Sequence, residues 1–206
     1  MLIDISPPLG ESLAVWPGDS PLTREILLEL ARGDSVTLST LRATVHLGAH
    51  ADAPSHYGAG AADIASCALE PYLGPCQVMR VPVGRGQRVT PAMLPAPPVA
   101  PRLLLATGTY PDPTRFTENF AALAPDLVDH LHECGVRLVG IDTPSVDPFS
   151  SKDLPAHGRF LAHGMSILEG LVLRDVPDGM YELIALPLRL TGFDASPVRA
   201  VLRSSR

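Results

Sequence analysis

Proline and glycine interrupt this chain too often for a helical bundle: 22 prolines and 17 glycines are spread over 206 residues. Proline ends helices and withholds a sheet donor, while glycine opens turns, so short strands joined by many turns are expected. Leu2 to Ile5 reads as an opening strand, stopped by Pro7-Pro8. Thr23 to Leu30 and Val36 to Val45 have the β-branched and apolar content of strands, with Gly33-Asp34 turning between them. Cys76 to Val83 and Arg102 to Thr107 read as buried strands, separated by a Pro-rich connection with a helix start at Thr90-Pro91. The clearest helix is Pro125 to Cys134, where Leu127, Val128 and Leu131 share a face and Gly135 stops the run. Arg137 to Ile141 follows at once as a strand, which suggests an α/β packing unit. A short helix over Ala156 to Ala162 and strands over Met165 to Leu173, Tyr181 to Leu186 and Val198 to Leu202 complete the reading. With no internal repeat and no linker, the expectation is one mixed α/β domain over residues 1–206.

The charge pattern narrows the partners. Apolar residues make up 46% and charged residues 18%, an ordered composition, and the net charge is −6. The basic residues are spread singly, which argues against nucleic acid or an anionic membrane as partner. The start, MLIDISPPLGESL, lacks the basic opening and apolar stretch of a signal peptide, and no segment approaches the ~18 apolar residues of a membrane span. Cys67, Cys76 and Cys134 form no CxxC pair, so buried reduced thiols in a cytoplasmic protein are expected rather than disulfides or a thiolate zinc site.

The chemistry concentrates in His46-Leu47-Gly48-Ala49-His50-Ala51-Asp52-Ala53-Pro54-Ser55-His56, which holds three of the seven histidines and a carboxylate. All four polar side chains fall on even positions, the signature of one face of an extended chain. A straight strand would hold positions 46 and 50 about 13 Å apart, too far for a shared metal. A helix would turn position 52 away, and Gly48 and Pro54 oppose it. The chain must bend here, with Gly48 permitting the bend, and a strand ending in a curved loop fits best. Imidazole with carboxylate suits Zn²⁺, Mn²⁺ or Fe²⁺. A catalytic metal lowers the pKa of water from 15.7 to about 7, and His56 could then move the proton.

At this motif the chain resembles the cyclase family of metal-dependent hydrolases, with the pattern HxGxHxDxPxH, and within it the bacterial kynurenine formamidases. The resemblance also rests on Trp16-Pro17-Gly18-Asp19, Gly140 to Pro148 (GIDTPSVDP), His157, Glu169-Gly170-Leu171, Tyr181-Glu182-Leu183 with Ala185 to Leu188, and Ser196 to Ala200. It implies a swivelling β/β/α fold with a mixed sheet and flanking helices. It also implies two divalent metal ions per subunit, usually Zn²⁺, with His46 and His50 on the first, His157 on the second, and Asp52 and Glu169 touching both. By residues alone, His157 is one of two candidates with His163. Glu169 stands in the apolar run SILEGLVL, where an unpaired carboxylate is costly to bury and a metal would relieve it. Trp16 alone reads as core packing, whereas the resemblance makes it a wall for an aromatic substrate. Asp142 and Asp147 are explained equally well by turns and capping and stay outside the site.

The expected activity is arylformamidase: hydrolysis of N-formyl-L-kynurenine to L-kynurenine and formate in tryptophan degradation, with His56 as proton carrier. A related hydrolase opening a cyclic amide such as isatin would share every ligand, and a non-catalytic metal-binding module is the rival from another class. A serine hydrolase is excluded, since no G-x-S-x-G elbow occurs. The resemblance implies a dimer or higher oligomer, and a homodimer is expected, with the Trp16 loop and the Pro-rich segments as candidate contact regions.

Overall fold

The computed structural model describes residues 1–204. In chain order the first half forms β1 (Leu2–Asp4), β2 (Thr23–Leu28), β3 (Leu38–Arg42), β4 (His50–Asp52), β5 (Leu73–Arg80), β6 (Arg88–Val89) and β7 (Arg102–Ala106). The second half forms β8 (Ala122–Leu123), α1 (Pro125–Glu133), β9 (Leu138–Ile141), α2 (Pro155–His163), β10 (Ser166–Glu169), β11 (Gly179–Ile184), β12 (Ala195–Pro197) and β13 (Val201–Ser204). Nine strands build one mixed sheet in the order β1-β13-β11-β5-β7-β9-β10-β4-β12. β5, β7, β9 and β10 run parallel at its centre, and antiparallel strands extend it on both sides.

The central strands are buried on both faces, which is why RLLLA and LVGI read as continuous apolar runs instead of alternating ones. Successive residues serve opposite layers. Leu103, Leu105, Val139, Ile141 and Ile167 pack with Leu127, Val128 and Leu131 of α1 and Phe160 of α2. Leu104, Ala106, Leu138 and Leu168 face the other way, onto Ala49, Ala51, Tyr72 and Leu183. The two helices also pack on each other, so one face of the sheet is helix-covered. The expected mixed α/β domain is what forms.

Element ends differ from expectation for local reasons. The strand read over Met165 to Leu173 stops at Glu169, because Gly170 takes φ 65° and its N–H donates to Thr143 O at 2.9 Å. The strand read over Val36 to Val45 ends at Arg42; Thr44 instead donates from its N–H to Ser20 O at 3.0 Å. Of the strand read over Val198 to Leu202 only Val201 and Leu202 are extended, in β13, which runs on to Ser204 and pairs with β11 and β1. A separate strand just before it, Ala195–Pro197, pairs with β4. Of the cysteines, Cys76 is buried and Cys67 half-buried, but Cys134 is exposed, since it follows α1 at its solvent end. The β2–β3 hairpin stands apart as a separate two-stranded sheet and leaves Leu30 and Leu41 more than 60% exposed. Among the described residues no helix is long and apolar enough to cross a membrane.

Candidate metal centre

The bend precedes the strand, the reverse of the expected order. His46 to Ala49 curve as a loop with Gly48 at φ 59°, His50 to Asp52 form β4, and Pro54 to His56 make a 3-10 turn. Each step brings one side chain in. The bend carries His46 back beside His50, with ring centroids 4.9 Å apart. The strand puts His50 and Asp52 on one face. The turn folds His56 over, placing its ring 4.2 Å from that of His46.

The other half of the chain supplies the rest. Glu169 sits directly opposite His50 in the β10–β4 register. His157 enters from the first turn of α2, where Asp147 accepts hydrogen bonds from the backbone N–H of Ala156 and His157, each at 3.0 Å. That carboxylate lies at a helix N-terminus, where a negative charge is favoured.

All five expected ligands meet in one buried cluster. Asp52 Oδ1 faces His46 Nδ1 at 3.2 Å and His50 Nε2 at 3.5 Å, and its Oδ2 faces His157 Nε2 at 3.4 Å. Glu169 repeats the pattern, with Oε2 at 3.3 Å from His50 Nε2 and Oε1 at 3.6 Å from His157 Nε2. The two carboxylates therefore straddle His50 and His157. His163, the other candidate, lies elsewhere: it pairs with Asp129 at 2.7 Å and stacks on His132.

The outward nitrogen of each imidazole is anchored. His50 Nδ1 donates to Gly48 O at 2.9 Å, His157 Nδ1 to Asp147 Oδ2 at 2.9 Å, and His46 Nε2 to Asp194 Oδ2 at 3.0 Å. Such anchoring fixes the ring and leaves the inward nitrogen as a lone-pair donor, the arrangement that metal-binding histidines adopt. Asp147 and Asp194 thus belong to the site although the sequence reading left the first outside and passed over the second. Asp147 could have been found from its place in the GIDTPSVDP stretch; Asp194 carries no local signal.

The residues present fit a metal. His50 Nε2 and both oxygens of Asp52 are buried without a hydrogen-bond partner, since the facing groups are close but not aligned to bond. An unsatisfied buried carboxylate costs several kcal/mol, which a divalent cation offsets. Imidazole and carboxylate donors without a thiolate suit Zn²⁺, Mn²⁺ or Fe²⁺. In the cation-free chain, protons play that part. Burial opposes protonation of His46 and His157, but the facing Asp52, Asp194, Asp147 and Glu169 outweigh it and hold His46 up at about 9 and His157 up at about 10. Burial likewise raises Asp52, yet the imidazoles around it keep its carboxyl well below the usual range.

The cluster forms the floor of a cavity of about 770 Å³. Trp16, Tyr110 and Phe116 line it, with Arg80 and Arg174 on its wall. Trp16 is held by neighbours rather than buried among aliphatic side chains: its ring is 4.9 Å from Phe149 and meets Phe116 edge-on at 5.5 Å. Asp142 also reaches the cavity, but its carboxylate is taken up by Thr107 and Gly108 N–H groups at 2.9 and 2.8 Å, tying β7 to β9.

A mixed sheet with one helical layer, holding an imidazole–carboxylate cluster under an aromatic cavity, defines the class. The chain belongs to the Putative cyclase family, whose model matches residues 3–148. Solved structures extend the likeness over the whole chain, beyond the stretch that the family model matches. A potential metal-dependent hydrolase with cyclase activity is 28% identical, covering 100% of this chain and 99% of its own, with a TM-score of 0.84. A predicted metal-dependent hydrolase from Bacillus stearothermophilus is 29% identical over 98% of this chain and 97% of its own, with a TM-score of 0.82. Isatin hydrolase A from Labrenzia aggregata, 21% identical over 98% of this chain and 93% of its own, shares the fold with a TM-score of 0.81.

Proposed function

We propose that the chain is a metal-dependent amide hydrolase that cleaves N-formyl-L-kynurenine to L-kynurenine and formate. The observation that carries the hydrolytic reading is the straddling pair: Asp52 and Glu169 each turn one oxygen toward His50 and the other toward His157. That arrangement supports two adjacent cation positions, one held by His46 and His50 and one by His157, with both carboxylates serving each. When bound, divalent ions there lower the pKa of water toward about 7 and polarise a carbonyl.

The chain's own residues supply the rest. His56 is one-third exposed and faces Asp194 through Nδ1 at 3.3 Å, so its Nε2 is the atom available for proton transfer. It takes a proton from the attacking water and returns it to the aniline nitrogen as the formyl C–N bond breaks, leaving formate and a free amine. Trp16, with Phe116 and Tyr110, supports an aromatic ring in the cavity. Arg80 and Arg174 give the wall a positive charge that complements the substrate's carboxylate, while Arg80 Nη2 donates to the carbonyls of Leu173, Arg174 and Val176 and Arg174 Nη2 to that of Pro111. These features favour an aryl formamide bearing an amino-acid tail over a compact neutral lactam such as isatin.

The test is direct. Purified, zinc-loaded protein given N-formylkynurenine is expected to release equal amounts of kynurenine and formate, and to open isatin far more slowly. Turnover of isatin without turnover of the formamide would replace the substrate assignment and keep the hydrolase; turnover of neither would end both.

A further inference from the structure

Asp194 belongs neither to the histidine motif nor to the proposed ligands, yet one of its oxygens serves two site histidines. Oδ2 is 3.0 Å from His46 Nε2 and 3.3 Å from His56 Nδ1. The two rings lie side by side, centroids 4.2 Å apart, so the anchor is shared. Its backbone is held firmly against the motif. Ala53 N–H donates to Asp194 O at 2.8 Å, Ile64 N–H to Phe193 O at 3.0 Å, and Ala195 pairs with Asp52 in the β12–β4 register. The strand that carries Asp52 therefore aims this carboxylate.

An ionised carboxylate only accepts hydrogen bonds, so both nitrogens facing it carry hydrogen. That leaves His46 Nδ1 turned inward, 3.2 Å from Asp52 Oδ1. It also leaves His56 Nε2 free, and a ring nitrogen of His56 lies within 4.8 Å of an Asp52 oxygen and a His157 nitrogen.

We propose that Asp194 is a positioning residue: its one oxygen holds a metal ligand and the proton carrier each in a single tautomer, both turned to the cluster. This rests on the reading of the cluster as a metal centre with His56 as proton carrier. The competing role is direct ligation, because the donor atoms of His46, His56 and Asp194 also lie within 4.8 Å of one another.

The experiment compares zinc-loaded parent, Asp194→Ala and Asp194→Glu by long-range ¹H–¹⁵N spectra of the imidazoles, by zinc content, and by kcat and KM on N-formylkynurenine. In the parent, His56 is expected to carry hydrogen on Nδ1 alone. Asp194→Ala is expected to mix its tautomers, keep the parent's zinc content at saturating zinc and lower kcat roughly 10- to 100-fold with little change in KM. Asp194→Glu recovers part of the loss, and in a His56→Ala background Asp194→Ala costs less than in the parent. Unchanged spectra, full additivity with His56→Ala, or loss of a zinc equivalent would each overturn the proposal, the last in favour of ligation. Should the parent show no formamidase activity, the substrate reading falls, while the spectra and zinc content still decide the role of Asp194.

Discussion

The carbonyl oxygen of Gly48 lies 2.1 Å from where a Cβ on Gly170 would stand. This close approach joins the histidine motif to the end of β10, next to the Glu169–His50 pair of the β10–β4 register. Gly170 sits at φ 65°, so alanine there meets both a left-handed backbone and a backbone oxygen that cannot swing aside. Gly170→Ala is expected to cost roughly 2–4 kcal/mol and to weaken metal binding, read from urea unfolding and metal content. Parent-like stability would show that the two segments separate easily.

Asp147 holds His157 through both backbone and ring. Replacing its carboxylate by an amide keeps the shape but offers His157 Nδ1 a weaker acceptor. Asp147→Asn is expected to lower affinity for the second ion about 10- to 100-fold, measured by competition with a chelator. An affinity equal to the parent's would remove Asp147 from the site.

Protons and metal compete for the same nitrogens, which gives pH two opposite effects. In the metal-free chain, His46 at about 9 and His157 at about 10 lie above their ordinary value of 6.5. Groups raised on folding stabilise fully below their unfolded pKa, and that contribution is lost as pH rises through the folded values. The metal-free protein should therefore lose Tm between about pH 6.5 and 10, whereas deprotonation favours the loaded form. The Tm gap between loaded and metal-free protein is expected to widen across this window, by calorimetry. A constant or shrinking gap contradicts it.

Trp16 lines the cavity, braced by Phe149 and Phe116, and under the proposed function it supports the substrate ring. Trp16→Ala is expected to raise KM for N-formylkynurenine on the order of tenfold, with Trp16→Phe restoring most of it. An effect on kcat alone, with KM unmoved, would mean the ring does not contact substrate.

Much of the site was legible because its chemistry is local. Period-two spacing put His50 and Asp52 on one face, and the distance argument demanded a bend that Gly48 provides. The direction of that bend was not legible, because among the described residues the β4 segment pairs only with β10 and β12, strands more than a hundred residues away. Glu169 was visible as a carboxylate too costly to bury alone in an apolar run. Asp194 was not, since it meets His56 across 138 residues and stands in an ordinary Gly-Phe-Asp turn. The cavity wall was half seen: Trp16 stood out as the lone tryptophan, but Phe116 and Phe149 join it only through the packing of distant loops.

The central claim is that the buried cluster is a two-ion hydrolytic centre. Titrating metal-free protein with Zn²⁺ while following formate release from N-formylkynurenine tests it most directly. Activity should be absent at the start, rise with added zinc and level off at two equivalents per chain, with Asp52→Asn flat throughout. Full activity without metal, or no turnover at any loading, would contradict the account.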